Sequence, residues 1–99
     1  MYYIIETCRQ VETENGNTDH WWWDVAEKCF AMNDAEANQF LREYYVIEGN
    51  TQRHLSIDMF DFGEYKWAEV GDVRRHNTTP NLFFGVSVSK ISKDVIDDF

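Results

Sequence analysis

Apolar and polar positions alternate along most of this chain, and one stretch keeps a helical period instead. Tyr2 to Val11 is dominated by Tyr, Ile, Thr and Val, with polar residues at every second or third position, as in a strand. Trp21 to Met32 reads as a second strand. Strict alternation would put Trp21, Trp23, Val25 and Cys29 on one face and Trp22, Asp24, Lys28 and Phe30 on the other. The polar residues between these strands include Asn15-Gly16, a favoured pair for a tight hairpin turn. With that pair at the tip, Cys8 would lie near Trp23 and Arg9 near Trp22. The polar stretch is long, so a wider loop fits it equally well.

At Asn33 the period changes. Asn33 can cap a helix, and Glu36 three residues on completes a capping-box pattern. Asp34 and Glu36 also suit the positive end of a helix dipole. Ala37, Phe40, Leu41, Tyr44 and Tyr45 then follow at the spacing of one helix face, and Gly49-Asn50 marks the expected stop. From Arg53 to Phe60 the period returns to two, with Leu55, Ile57 and Met59 against His54, Ser56 and Asp58. Tyr65 to Val70 reads as a partner strand across a turn at Gly63. Gly71 to Asn81 reads as a polar loop, and Leu82 to Ile91 as a last alternating strand. Ser92 to Phe99 reads as an acidic tail with one helical turn capped by Ser92.

These elements predict an α+β fold in the order β-β-α-β-β-β. It would be an antiparallel sheet of about five strands with one amphipathic helix packed on one face. The 99 residues fit one domain, with the short acidic tail at about 92–99. An aromatic share of 16% gives so short a chain enough bulk for a core without a metal or disulfide staple.

Charge adds most to this picture. Eighteen acids face nine Lys and Arg, for a formal charge of −9. A field of that sign opposes direct contact with nucleic-acid phosphates and with anionic membranes, and favours a basic partner. The start Met1-Tyr2-Tyr3-Ile4-Ile5-Glu6 lacks a basic n-region and an h-region, and no apolar run approaches ~18 residues. A cytoplasmic location is the expectation, with Cys8 and Cys29 as free thiols.

Candidate chemistry is sparse. Cys8, Cys29, His20, His54 and His76 fall on separate elements without metal-ligand spacing, so no metal site is expected. No glycine-rich phosphate loop, nucleophile elbow or reactive-cysteine signature is present, so neither a cofactor nor catalysis is expected. Arg74-Arg75-His76 is the only basic cluster. Trp21-Trp22-Trp23 is the most unusual local feature, because three successive strand residues cannot all enter one core. An exposed indole is a typical interface anchor.

The acids crowd three places: Glu12, Glu14 and Asp19 in the first loop; Asp58, Asp61, Glu64, Glu69 and Asp72 around the second hairpin; Asp94, Asp97 and Asp98 in the tail. Carboxylate arrays can imitate nucleic-acid phosphates and occupy a basic groove. Small acidic inhibitors from phages and mobile elements, of the anti-CRISPR and anti-restriction kinds, act in this way, and the likeness to them is one of size and charge. The expectation is a non-enzymatic protein-binding module whose contact residues are Glu12, Glu14, Asp19, Trp22, Asp58, Asp61, Glu64, Glu69 and Asp72. Its partner would be a basic protein or nucleic-acid-binding complex of host defence. Two alternatives remain: a small enzyme or ligand-binding domain with a carboxylate such as Asp24, Asp58 or Asp61 in an aromatic pocket, and a homo-oligomer joined through a sheet edge or face.

Overall fold

The computed structural model describes residues 2–12, 21–64, 66–76 and 84–92. Its elements are β1 (Tyr2–Glu12), β2 (Trp21–Ala31), α1 (Asp34–Leu41), β3 (Tyr44–Glu48), β4 (Thr51–His54), a 3-10 turn (Ile57–Met59), β5 (Trp67–Arg75) and β6 (Phe84–Ile91). The strands form one antiparallel sheet in the order β2-β1-β6-β5-β3-β4. The described residues therefore form an α+β fold with a six-stranded antiparallel sheet and one α-helix.

The sixth strand comes from the end of the expected helix. α1 starts where the capping pattern places it: Asn33 Oδ1 accepts from the Glu36 N–H at 2.9 Å, and Glu36 Oε2 accepts from the Met32 N–H at 2.8 Å. It ends at Leu41, however, and not at Gly49. Tyr44-Tyr45-Val46-Ile47 is aromatic and β-branched, a composition that suits a pleated surface better than a helix. Gly49-Asn50 is the two-residue turn between β3 and β4, with Glu48 opposite Thr51 and Gly49 at φ 60°. Tyr44 keeps its inward direction because a strand pairing with β5 delivers it to the same core that a helix face would have reached.

Two further expectations change in the second half. The stretch from Arg53 to Phe60 is a strand only to His54; Leu55 enters the core just after it and Ile57 from the 3-10 turn, which Asn38 fixes by accepting from the Ile57 N–H at 2.7 Å. β5 pairs with β6 and β3, not with that stretch, so no hairpin joins them. β5 also runs through the expected loop at Gly71. A bulge there sets Gly71 and Asp72 opposite the single residue Gly85, and Asp72 takes φ 54°, a left-handed value that a short polar side chain tolerates.

The core lies on one side of the sheet. Tyr3, Ile5 and Thr7 of β1, Phe84, Val86 and Val88 of β6, and Ala68 and Val73 of β5 face it, and Ala37, Leu41, Leu55, Ile57 and Phe60 close it from above. Among the described residues no helix or strand packs on the opposite face, and no helix is long and apolar enough to cross a membrane.

Candidate functional site

The face without a helix is built from alternate residues whose partners on the other side fill the core. On β1 these are Tyr2, Ile4, Glu6 and Cys8, and on β6 Gly85, Ser87 and Ser89. On β2 the alternation is broken. Thr7 pairs with Glu27 and Cys8 with Val25, so Ala26 is an extra residue and the face changes there. Glu27, Cys29 and Ala31 turn to the helix side, whereas Lys28, Phe30, Val25 and Trp23 share the open face. The even alternation expected of this strand, with Val25 and Trp23 on the Cys29 side, is therefore corrected by the bulge. The register also differs from a tight Asn15-Gly16 hairpin: Gln10 opposes Trp23 and Val11 opposes Trp22, as the wider loop requires.

Pairing lays the open face out in rows that cross four strands. Phe30, Ile4, Ser89 and Trp67 stand opposite one another in one row, and Lys28, Glu6, Ser87 and Glu69 in the next. A third row holds Val25, Cys8 and Gly85, with Gly71 in the bulge beyond. The first row is apolar except for Ser89, with Phe30 49% and Trp67 50% exposed at its ends, and Tyr2 stacks on Phe30 at 5.8 Å between ring centroids. Phe30 on β2 and Trp67 on β5 stand at the two ends of this row, with β1 and β6 between them.

The third row is a notch, because Gly85 and Gly71 bring no side chain to it. Trp23, which is 51% exposed, leans across it; a Cβ placed on Gly85 would lie 3.5 Å from the indole ring. The result is a hollow of about 340 Å³ lined by Cys8, Trp23, Glu69, Val70, Gly71, Gly85, Val86 and Ser87. Its electrostatics are negative. The Cys8 thiol is raised by burial first and then by the nearby carboxylates Glu6, Glu69 and Asp24. Lys28 lies 4.0 Å from Glu6 in the neighbouring row and does not line the hollow.

A second hollow, of about 400 Å³, lies at the other side of the fold and is lined by Gln39, Arg42, Glu43, Arg75 and His76. Its charges are largely spoken for. Arg75 pairs with Glu27 and Glu43, lies over the Tyr44 ring at 5.7 Å, and shares Glu27 with the Tyr44 hydroxyl, which donates to it at 2.9 Å. His54 Nδ1 bonds the Arg42 carbonyl at 2.9 Å, and its ring stacks on His76. This network ties β2, β3 and β5 together, and among the described residues no three His, Cys, Asp or Glu converge as metal ligands.

The expected contact residues are divided by this geometry. Glu14 and Asp19 lie outside the described residues. Glu12 and Trp22 are placed only as strand backbone, opposite Trp21 and Val11. Asp58 sits in the 3-10 turn on the helix side, and Asp61 holds its own turn by accepting from the Gly63 N–H at 3.1 Å. Glu64 follows on that segment, which Phe60 and Phe62 anchor to the core. Asp72 serves the bulge. Glu69 alone of the described five lies in the hollow of the open face. Among the described residues these acids do not share one continuous face. The reading from sequence missed Trp23, Gly85 and Cys8; a glycine inside an otherwise alternating strand was the available sign, since it often marks a place where something approaches closely. Comparison with family models, with characterised proteins and with solved structures finds no match.

Proposed function

We propose that this chain is a non-enzymatic binding module that lays the helix-free face of its sheet on a basic protein, in the manner of small acidic inhibitors of nucleic-acid-handling defence complexes. The observation that carries this reading is the open face itself, where Trp23, Val25, Phe30 and Trp67 are each about half exposed on a chain of charge −9. Aromatic side chains supply most of the affinity of a protein interface when a partner desolvates them. The surrounding carboxylates would speed encounter with a positive surface and reject nucleic acid. A carboxylate enzyme draws less support, since Asp24, Asp58 and Asp61 are exposed and line neither hollow.

The test uses purified CRISPR effectors and restriction nucleases as a panel, each with and without its nucleic acid, in binding assays at low and high salt. Binding to a nucleic-acid-free member that weakens with salt and with prior loading is expected. Failure to bind every member at low salt overturns the reading. Sedimentation of the chain alone covers the competing occupant: a dimer persisting at low salt would give the open face to a second copy, against the mutual repulsion of two −9 chains.

A further inference from the structure

The notch on the open face has more structure than a generic docking surface needs. Two glycines in one row remove the floor's side chains, a bulge widens the spacing beside them, and one indole stands at the rim with its ring flank toward the gap. Gly85 is central. A Cβ there would only touch Trp23 at 3.5–3.8 Å, so alanine fits, but a branched side chain would take the space that the hollow now leaves. Across from the indole the lining offers Glu69 and the hydroxyl of Ser87.

We propose that this hollow is a seat for one arginine side chain of the basic partner, with the guanidinium stacked on Trp23 and bonded to the Glu69 carboxylate. The inference rests on the proposed function and names how that partner is held. Three features favour a cation over an apolar anchor. The lining carries a carboxylate and no base. Three carboxylates act together on the thiol at its floor, so the field there is negative. An exposed indole attracts a cation over its ring face. Two features favour arginine over lysine: a planar guanidinium stacks on an aromatic face, and its fork matches a carboxylate, whereas an ammonium is a strongly hydrated point charge. At about 340 Å³ the hollow has room for an arginine side chain.

The experiment titrates the intact chain with capped tri-arginine, tri-lysine and tri-citrulline peptides at low salt and follows the indole N–H resonances. The Trp23 signal is assigned by its loss in Trp23→Leu, and Trp67 serves as the control for a general effect of charge. Tri-arginine is expected to shift Trp23 more than Trp67, to bind more tightly than tri-lysine, and to outcompete tri-citrulline altogether. Trp23→Leu and Glu69→Gln should each weaken tri-arginine binding by about tenfold, in keeping with a desolvated cation–π contact and a charge-assisted bond. Glu69→Gln changes one exposed surface group and so leaves folding out of the result. Gly85→Val should abolish the Trp23 shift, whereas Gly85→Ala should keep it. If tri-arginine binds wild type, Trp23→Leu and Glu69→Gln alike, the seat is overturned and the basic-partner reading stands. If neither cationic peptide binds, both are overturned.

Discussion

Cys8 reports the character of the open face at the level of one residue. It is half-buried, and burial together with Glu6, Glu69 and Asp24 raises its thiol above the ordinary range. The thiolate is the nucleophile, so a raised thiol reacts slowly at neutral pH. Alkylation by iodoacetamide, followed residue by residue by mass spectrometry, should therefore be slower at Cys8 in the folded chain than in the unfolded one. Glu69→Gln should speed it by removing one carboxylate. An unchanged rate in that variant would mean that the carboxylate does not govern the hollow. Cys29 is a useful contrast, since its thiol is raised by burial and by Glu36 on the helix side. Trp23 belongs to the same scale. The triple tryptophan implied either a strand buried on both faces or an indole near the surface, and the side that Trp23 takes depended on Ala26, an alanine with no mark that a bulge would form there.

Among the elements, α1 was the most legible at its start and the least legible at its end. Its cap is local: Asn33 and Glu36 are three residues apart and satisfy backbone donors that a helix start leaves open. Asn33→Ala should cost about 1 kcal/mol of stability by urea denaturation, the usual worth of such a cap. Its end is not local. Ala37, Phe40, Leu41, Tyr44 and Tyr45 keep a helical spacing, yet Tyr44 reaches the core from a strand. Its hydroxyl donates to Glu27 on β2 and its backbone faces Arg75 on β5, residues far away in sequence. Periodicity alone does not separate two elements that bury the same side chain. The long strands β1 and β6 were legible because eight or more residues repeat one period, and β2 was legible as a strand although its period breaks at Ala26. β5 was cut short in the reading because Gly71 and Asp72 carry the signature of a loop, and a bulge uses the same residues.

At the scale of the whole molecule, two buried tyrosines link stability to pH. Burial first, and for Tyr3 the bond from its hydroxyl to Asp34 at 2.5 Å, push both Tyr3 and Tyr44 up to about 12. Tyrosine is neutral when protonated, and its unfolded value is about 10. The folded chain thus holds these protons more tightly, so their contribution is whole below about pH 10 and is lost as pH rises through about 12. Urea midpoints should fall as pH rises from about 10 toward about 12, and Tyr44→Phe should flatten that part of the fall. The same scale decides the site. Composition and period by themselves determined an acidic α+β chain with an antiparallel sheet, a capped helix and more aromatic surface than one core can hide, because each of these follows from neighbours in sequence or from sums over residues. The tertiary structure decided which face the helix leaves open, that Trp23 and Trp67 stand on it, and that Glu69 shares a hollow with Trp23 while Asp58 and Asp61 do not. Those are matters of register between strands, and register is set by bulges and by pairing partners distant along the chain, where a shift of one residue moves every side chain to the other face.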